Sequence, residues 1–225
     1  IRDRTSSTLG EQRQSNYALA PMSKERFVEL VTEGQPAAPK YFFFDAVANR
    51  SDRELLDTDP PAQLNLEQVL EAQRNGAAVL DVRDALDFAQ GHLAGSLNVG
   101  LEGRYAEFAG IAVPHDADIV LITEPGQGAE AQLRLGRIGF DNVIGVLEGP
   151  EAAFVTQPEV TARCSRLTAA AFDEARIASD DVQVIDVRNP GEIALGSIPG
   201  ALEIPLAQMQ DRLDEIDLDR PIVVH

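Results

Sequence analysis

Tryptophan is absent from this chain, cysteine occurs once, methionine twice and lysine twice, as Lys24 and Lys40. A single thiol, Cys164, can close no internal disulfide, so a small disulfide-stapled extracellular scaffold is excluded and a reducing compartment, the cytoplasm, is expected. No apolar run approaches the ~20 residues of a membrane-spanning helix. The opening Ile1-Arg2-Asp3-Arg4 has none of the apolar core of a signal peptide. Basic charge is also scarce: 19 lysines and arginines face 37 acids, for a net charge of −18. Such a surface repels phosphate backbones and anionic lipid, which argues against nucleic-acid and membrane-surface partners. Acid excess with so little lysine fits a salt-adapted organism or, equally, an acidic protein from an arginine-preferring genome. At 225 residues and 44% hydrophobic content, the chain has enough material for two ordinary globular domains.

What the sequence does contain is a repeat. Leu80-Asp81-Val82-Arg83 returns as Ile185-Asp186-Val187-Arg188, and Gly91 and Gly95 return as Gly196 and Gly200, each pair 105 residues apart. A gapless register over two dozen positions marks a duplicated unit. In each copy a short apolar run of strand length (Ala77 to Leu80; Val182 to Ile185) ends on Asp-Val-Arg. The acid and base lie two residues apart and therefore share one side of the pleat. Their favoured role is an ion pair that ties down the next loop, not catalysis. An acidic helical turn follows, then a Gly-x-x-x-Gly bend where left-handed or tightly packed backbone is allowed. A second short strand, Leu97 to Val99 or Leu202 to Ile204, completes the unit.

Asp-Val-Arg, an acidic turn and Gly91-His92-Leu93-Ala94-Gly95-Ser96-Leu97-Asn98-Val99 resemble the front half of a rhodanese domain. The likeness spans residues 64 to 149 fully and 165 to 225 in part. It implies an α/β fold: three-layer domains with a mostly parallel sheet, in two copies, the second cut short. It also implies movement of sulfane sulfur through a cysteine persulfide. The expected organisation is a tail over 1–58, a first domain over 59–150, a linker over 151–164 and a second domain over 165–225.

Within that frame the periodicity predicts a helix over 22–31 with Ser23 as N-cap. It then gives an aromatic cluster, Tyr41-Phe42-Phe43-Phe44, that needs burial. Pro36 and Pro39 interrupt, and Asp57 to Pro61 reads as an extended connection. Helices are expected over 64–75, 102–109, 129–138 and 166–175. Strands are expected over 78–83, 118–122 and 143–146, and the final Ile222-Val223-Val224-His225 matches the strand Ile119 to Ile122. Strands alternating with helices point to a parallel sheet, with ligand sites beyond the strands' C-terminal ends.

A sulfur-carrying site needs an ionised thiol, a loop of backbone N–H groups and often an arginine. The family places these as Cys-x-x-Gly-x-Arg, wrapping onto a helix N-terminus whose dipole favours thiolate. In the first copy that loop is Thr123-Glu124-Pro125-Gly126-Gln127-Gly128. Gly126 matches the family glycine; Thr123, or Glu124 in a slipped register, takes the cysteine's place, and Gly128 or Ala129 the arginine's. Pro125 removes a donor, and Glu124 and Glu130 add the wrong charge. This copy is expected to be catalytically silent and to serve in orienting its neighbours. In the second copy the family's cysteine would fall just after His225, a residue better suited to a strand end than to base catalysis. Cys164, between Arg163 and Arg166, has no glycine loop and reads as an incidental thiol. His92 belongs to the family bend, and neither it nor His115 has metal-ligand partners at usable spacing. No catalytic residue and no metal site are therefore assigned.

Residues 6–13, then Asn16 to Leu19, Pro21 to Ser23 and the helix after them, resemble the C-terminal end of metallo-β-lactamase-fold hydrolases of the persulfide dioxygenase type. In several bacterial proteins these precede rhodanese domains. The resemblance implies the C-terminal part of a bacterial fusion in sulfide and persulfide metabolism. The parent's iron or zinc would lie upstream, no cofactor would lie in this chain, and small sulfur species such as persulfide or thiosulfate would be its partners. Two alternatives stand: a non-catalytic rhodanese scaffold or binding module, and a simple tandem thiosulfate sulfurtransferase. A homodimer is left open.

Overall fold

A computed structural model describes residues 6–33, 41–48, 50, 59–178 and 181–225, with side chains at all of these except 44–46, 48, 177 and 178. Pro36, Pro39, the Phe44 side chain and the Asp57–Thr58 start of the expected linker lie outside that description. In chain order the tail carries α1 (Leu9–Ser15), α2 (Lys24–Thr32) and α3 (Tyr41–Ala48). The first copy runs α4 (Leu66–Arg74), β1 (Ala78–Asp81), α5 (Ala85–Gln90), β2 (His92–Leu93), β3 (Leu97–Asn98), α6 (Tyr105–Ala112), β4 (Ile119–Thr123), α7 (Gly128–Gly136) and β5 (Val143–Glu148). Next come α8 (Glu151–Thr156) and β6 (Thr161–Ala162). The second copy holds α9 (Ala169–Ala178), β7 (Gln183–Asp186), α10 (Pro190–Ile193), β8 (Leu202–Glu203) and β9 (Ile222–Val224).

The first sheet is wholly parallel, in the order β3-β1-β4-β5. All five residues of β4 are buried, as befits a strand covered on both faces. Alternation along the strands sorts the core into two halves. Leu80, Ile119, Leu121 and Val146 pack with Tyr105, Ala131 and Leu135 of α6 and α7. Val79, Val120, Ile122 and Leu147 pack with Leu66 and Val69 of α4 and Phe154 of α8. Helix, sheet and helix make the three layers, and the fold class is α/β with rhodanese-like units.

The second sheet, β8-β7-β9, repeats three of the four strands of the first, β3-β1-β4. Leu80 pairs with Leu97 and Ile185 with Leu202, keeping the spacing of the repeat. The Val82 N–H bonds the Ile122 carbonyl at 2.8 Å, and the Val187 N–H bonds the His225 carbonyl at 3.0 Å. His225 thus occupies the place of Ile122, and the place of Thr123 is the next one along.

Local signals explain several boundaries. α4 opens on an Asn65–Gln68 capping box, and Gly76 follows its end with φ of +97°. Ser23 accepts from the Arg26 N–H at 3.2 Å and caps α2. Gly95 and Gly200 share a left-handed φ of +80° and +82°, so the bend needs glycine at its second position. Its first position differs between the copies, since Gly91 is extended and Gly196 has φ of +135°.

Residues 6–15 contain a helix, made by a Thr8–Glu11 capping box that polar composition conceals. Three expectations are revised. The helix expected over 102–109 lies at Tyr105–Ala112, because Gly103 takes a positive φ. Among the described side chains of the aromatic cluster, Tyr41 is buried and Phe42 and Phe43 are exposed. Tyr41 fits because Gly110 leaves room: a Cβ there would lie 2.4 Å from the ring. Finally, the stretch expected as a linker over 151–164 carries regular structure. It contains α8 and β6, and β6 pairs antiparallel with β2 in the first copy.

Candidate functional site

Both copies build the same clamp where their central strand ends. Arg83 reaches Asp81 Oδ2 with Nη2 at 2.7 Å and Oδ1 with Nε at 3.1 Å, while Nη2 also donates to the Gly91 carbonyl at 2.9 Å. Arg188 repeats this on Asp186, at 2.6 and 2.9 Å, and on the Gly196 carbonyl at 2.9 Å. The arginine therefore ties strand end to glycine bend, consuming its own charge in doing so. The bidentate fork suits arginine alone among the bases.

The copies differ in depth and in company. Asp81 and Arg83 are almost wholly buried, and Arg83 Nη1 also meets Glu151 of α8 at 2.9 Å. Burial works against the Arg83 charge, but Asp81 and then Glu151 outweigh it and hold its pKa above the ordinary value. Arg188 is 28% exposed and meets no such acid among the described residues, and Asp186 sits 3.8 Å from His225 Nδ1. The hydrogen bonds from Arg188 hold the Asp186 carboxyl down to about 2, from an ordinary 3.8.

That depression has a checkable sign. A carboxylate whose folded pKa lies below its unfolded one stabilises the fold above about pH 4 and loses this as pH falls towards 2. The stability gap between the native chain and Asp186→Asn is expected to narrow steadily across that window in denaturant titrations. A gap that stays constant would contradict the ion pair.

The loop after β4 is filled and closed. Thr123 is buried, its Oγ1 donates to the Glu124 carbonyl at 2.8 Å, and its own carbonyl accepts from the Gly149 N–H at 2.9 Å. Gly126 turns with φ of +82°, and the Gln127 N–H bonds back to the Glu124 carbonyl at 3.2 Å. Gly128 opens α7 tightly against Val146 and Glu148, where a Cβ would stand 3.3 Å from both. Glu130 lies in the first turn of α7 and meets Arg134 at 3.7 Å. No side chain caps this helix end.

The other singled-out residues lie apart from that loop. His92 is buried in the bend, its Nδ1 2.8 Å from the Phe88 carbonyl and its ring stacked on Phe88 at 3.7 Å. Cys164 is exposed, its N–H bonded to the Ala89 carbonyl at 3.1 Å. Among the described residues no three His, Cys, Asp or Glu side chains gather where a metal ion could sit. Glu151 and Phe154 escaped the sequence reading; Phe154, 5.5 Å from the Arg83 guanidinium and 6% exposed, is the apolar signal that was available. Arg83, Asp87, Gln90, Gly91, Glu151 and Phe154 help line a cleft of about 240 Å³.

The family model for the rhodanese-like domain matches residues 65–154 and again 169–225. This chain belongs to the rhodanese-like family. The first rhodanese match runs through Phe154, in keeping with α8 being part of that copy. Over 47 residues the chain is 43% identical to a sulfurtransferase of Allochromatium vinosum, covering 21% of this chain and 44% of that protein. Over 53 residues it is 42% identical to the uncharacterized protein YqhL of Bacillus subtilis, covering 24% and 42%. The chain thus spans less than half the length of these curated relatives. A metallo-beta-lactamase of Staphylococcus aureus subsp. aureus COL has a similar fold, with a TM-score of 0.54 at 23% identity over 63% of this chain and 40% of that one. No helix among the described residues is long and apolar enough to cross a membrane.

Proposed function

We propose that this chain is the C-terminal part of a metallo-β-lactamase/rhodanese fusion that handles persulfide, with sulfane-sulfur transfer carried by its second rhodanese copy. The observation that carries this is the shared register of the two sheets. Where the first copy places Thr123, the second places the position after His225, and a cysteine there would stand at the head of the loop. Its thiolate attacks the sulfane sulfur of thiosulfate, the S–S bond breaks, and sulfite leaves with the electron pair. The resulting cysteine persulfide hands its outer sulfur to a nucleophile such as cyanide, and the thiolate returns. The 43% identity to a named sulfurtransferase supports the sulfur chemistry, and the metallo-beta-lactamase likeness supports the fusion. The iron or zinc belongs, in this reading, to a domain before Ile1, and no step here runs through it.

The first copy is a silent spacer. The end of α6 touches both neighbours: Gly110 receives the Tyr41 ring, and the Ala112 carbonyl accepts from Gln210 Nε2 at 2.7 Å. Thiosulfate:cyanide assays test the whole reading. Residues 1–225 are expected to show no turnover, and Thr123→Cys is expected to add none, because Glu124, Pro125 and Glu130 remain. A polypeptide extended past His225 through a Cys-x-x-Gly-x-Arg loop is expected to turn over. Turnover by residues 1–225 themselves would overturn the assignment, and a gene without that cysteine would favour a binding scaffold.

A further inference from the structure

Acids outnumber bases 37 to 19 in this chain, so a basic side chain without an acidic neighbour stands out. Arg83, Arg104, Arg134, Arg188, Arg212 and Arg220 each meet an acid. Arg163 and Arg166 are exposed and meet none among the described residues. Both line one groove of about 560 Å³, together with Cys164 between them in the chain. Leu86 and Ala89 of α5 give it an apolar wall, Gln90 and Ser165 add neutral hydrogen-bonding groups, and no acid is among its described lining residues. Backbone contacts hold the two walls together. The Cys164 N–H bonds the Ala89 carbonyl at 3.1 Å, and β6 pairs with β2 just before it. The cleft alongside shares Gln90 and Arg163 but is also lined by Asp87 and Glu151, and Glu151 is engaged by Arg83 at 2.9 Å. The cationic part of the surface is therefore the groove that runs from Arg163 to Arg166.

We propose that this groove binds a small organic anion, with its negative groups on Arg163 and Arg166 and its carbon body against Leu86 and Ala89. The site is independent of the sulfur-transfer reading. Guanidinium charge is permanent at any working pH, so nothing has to titrate for the site to form. A polyanion is the wrong size of partner: nucleic-acid binding takes roughly 6–10 phosphate contacts, and two arginines supply far fewer. The net charge of −18 opposes such a partner further. A lone tetrahedral oxyanion would leave most of the groove wet, whereas the apolar wall favours a carbon body. Carboxylates match the guanidinium fork with two hydrogen bonds, so a dicarboxylate is the chemistry that uses both charges. Exposed ion pairs are weak, each changing affinity by up to about fivefold, and binding is therefore expected in the millimolar range.

The test uses residues 1–225 and phthalate, a rigid dicarboxylate, in calorimetric titrations and in protection of Cys164 from iodoacetamide at one fixed pH. Phthalate is expected to bind and, near saturation, to slow the labelling severalfold. Arg163→Gln and Arg166→Gln are each expected to weaken binding by about two- to fivefold, and the double variant to weaken it more than either. Cys164→Ser is expected to leave the calorimetric affinity unchanged, because the thiol only reports on the site. Both arginines are exposed, so the variants keep the native fold, which circular dichroism checks. No binding of phthalate at tens of millimolar overturns the proposal. Equal binding by the double variant, or equal binding of the neutral analogue phthalamide, also overturns it, since the charges would then play no part. Inorganic sulfate bound as tightly as phthalate overturns it as well, because the apolar wall would then contribute nothing.

Discussion

Asp81→Ala is expected to cost roughly 3–5 kcal/mol of stability, because it strands a buried guanidinium without its main counter-charge. Arg83 keeps only the Gly91 carbonyl and Glu151, and the Glu151 side chain is 59% exposed, so water already screens much of its field. The second copy supplies an internal control. Asp186→Ala breaks a clamp with the same atoms and nearly the same distances, but Arg188 is 28% exposed and can turn to water. Its cost is expected to be clearly smaller. Removing both members of the first pair, with Asp81→Leu and Arg83→Leu together, is expected to cost less than Asp81→Ala alone, since no lone charge stays buried. Urea denaturation of the four proteins decides it. Equal small losses at Asp81 and Asp186, below about 1 kcal/mol, would show that depth does not govern the clamp.

Phe154→Ala is expected to cost about 3–5 kcal/mol, whereas Val155→Ala should stay within about 0.5 kcal/mol. Phe154 is 6% exposed and fills the half-core among Leu66, Val69, Leu93 and Ile122, while Val155 beside it is 80% exposed. Its loss would also uncover the Arg83 guanidinium, whose carbon lies 5.5 Å from the ring. The contrast separates two pictures of residues 151–164. If they merely joined two domains, both substitutions would be silent. Should the two variants unfold at the same denaturant concentration as the native chain, the segment is a tether and not part of the first copy.

Much of the fold was legible because its signals are local. The strands declare themselves as apolar runs, and α4 by its periodicity and by Gly76 past its end. The copies announce one another through a constant spacing. That the loop after the third strand of the repeat opens on Thr123, a hydroxyl and not a thiol, needed no coordinates either. What escaped was carried by small or distant features. The capping box that makes α1 is hidden in polar residues, and Glu151 pairs with an arginine 68 positions earlier. The β6–β2 pairing needs two residues from each partner and leaves no pattern in either.

By itself, then, the sequence determined a duplicated α/β unit, an excess of acidic residues and a threonine, not a cysteine, at the head of the first loop, because these follow from composition, period and residue type. Only the tertiary structure decided that 151–162 belongs to the first copy, that one clamp is buried and the other half-open, and that His225 faces Asp186. Those outcomes depend on which side chains meet across long stretches of chain, and burial, not residue identity, sets the strength of each charge that meets there.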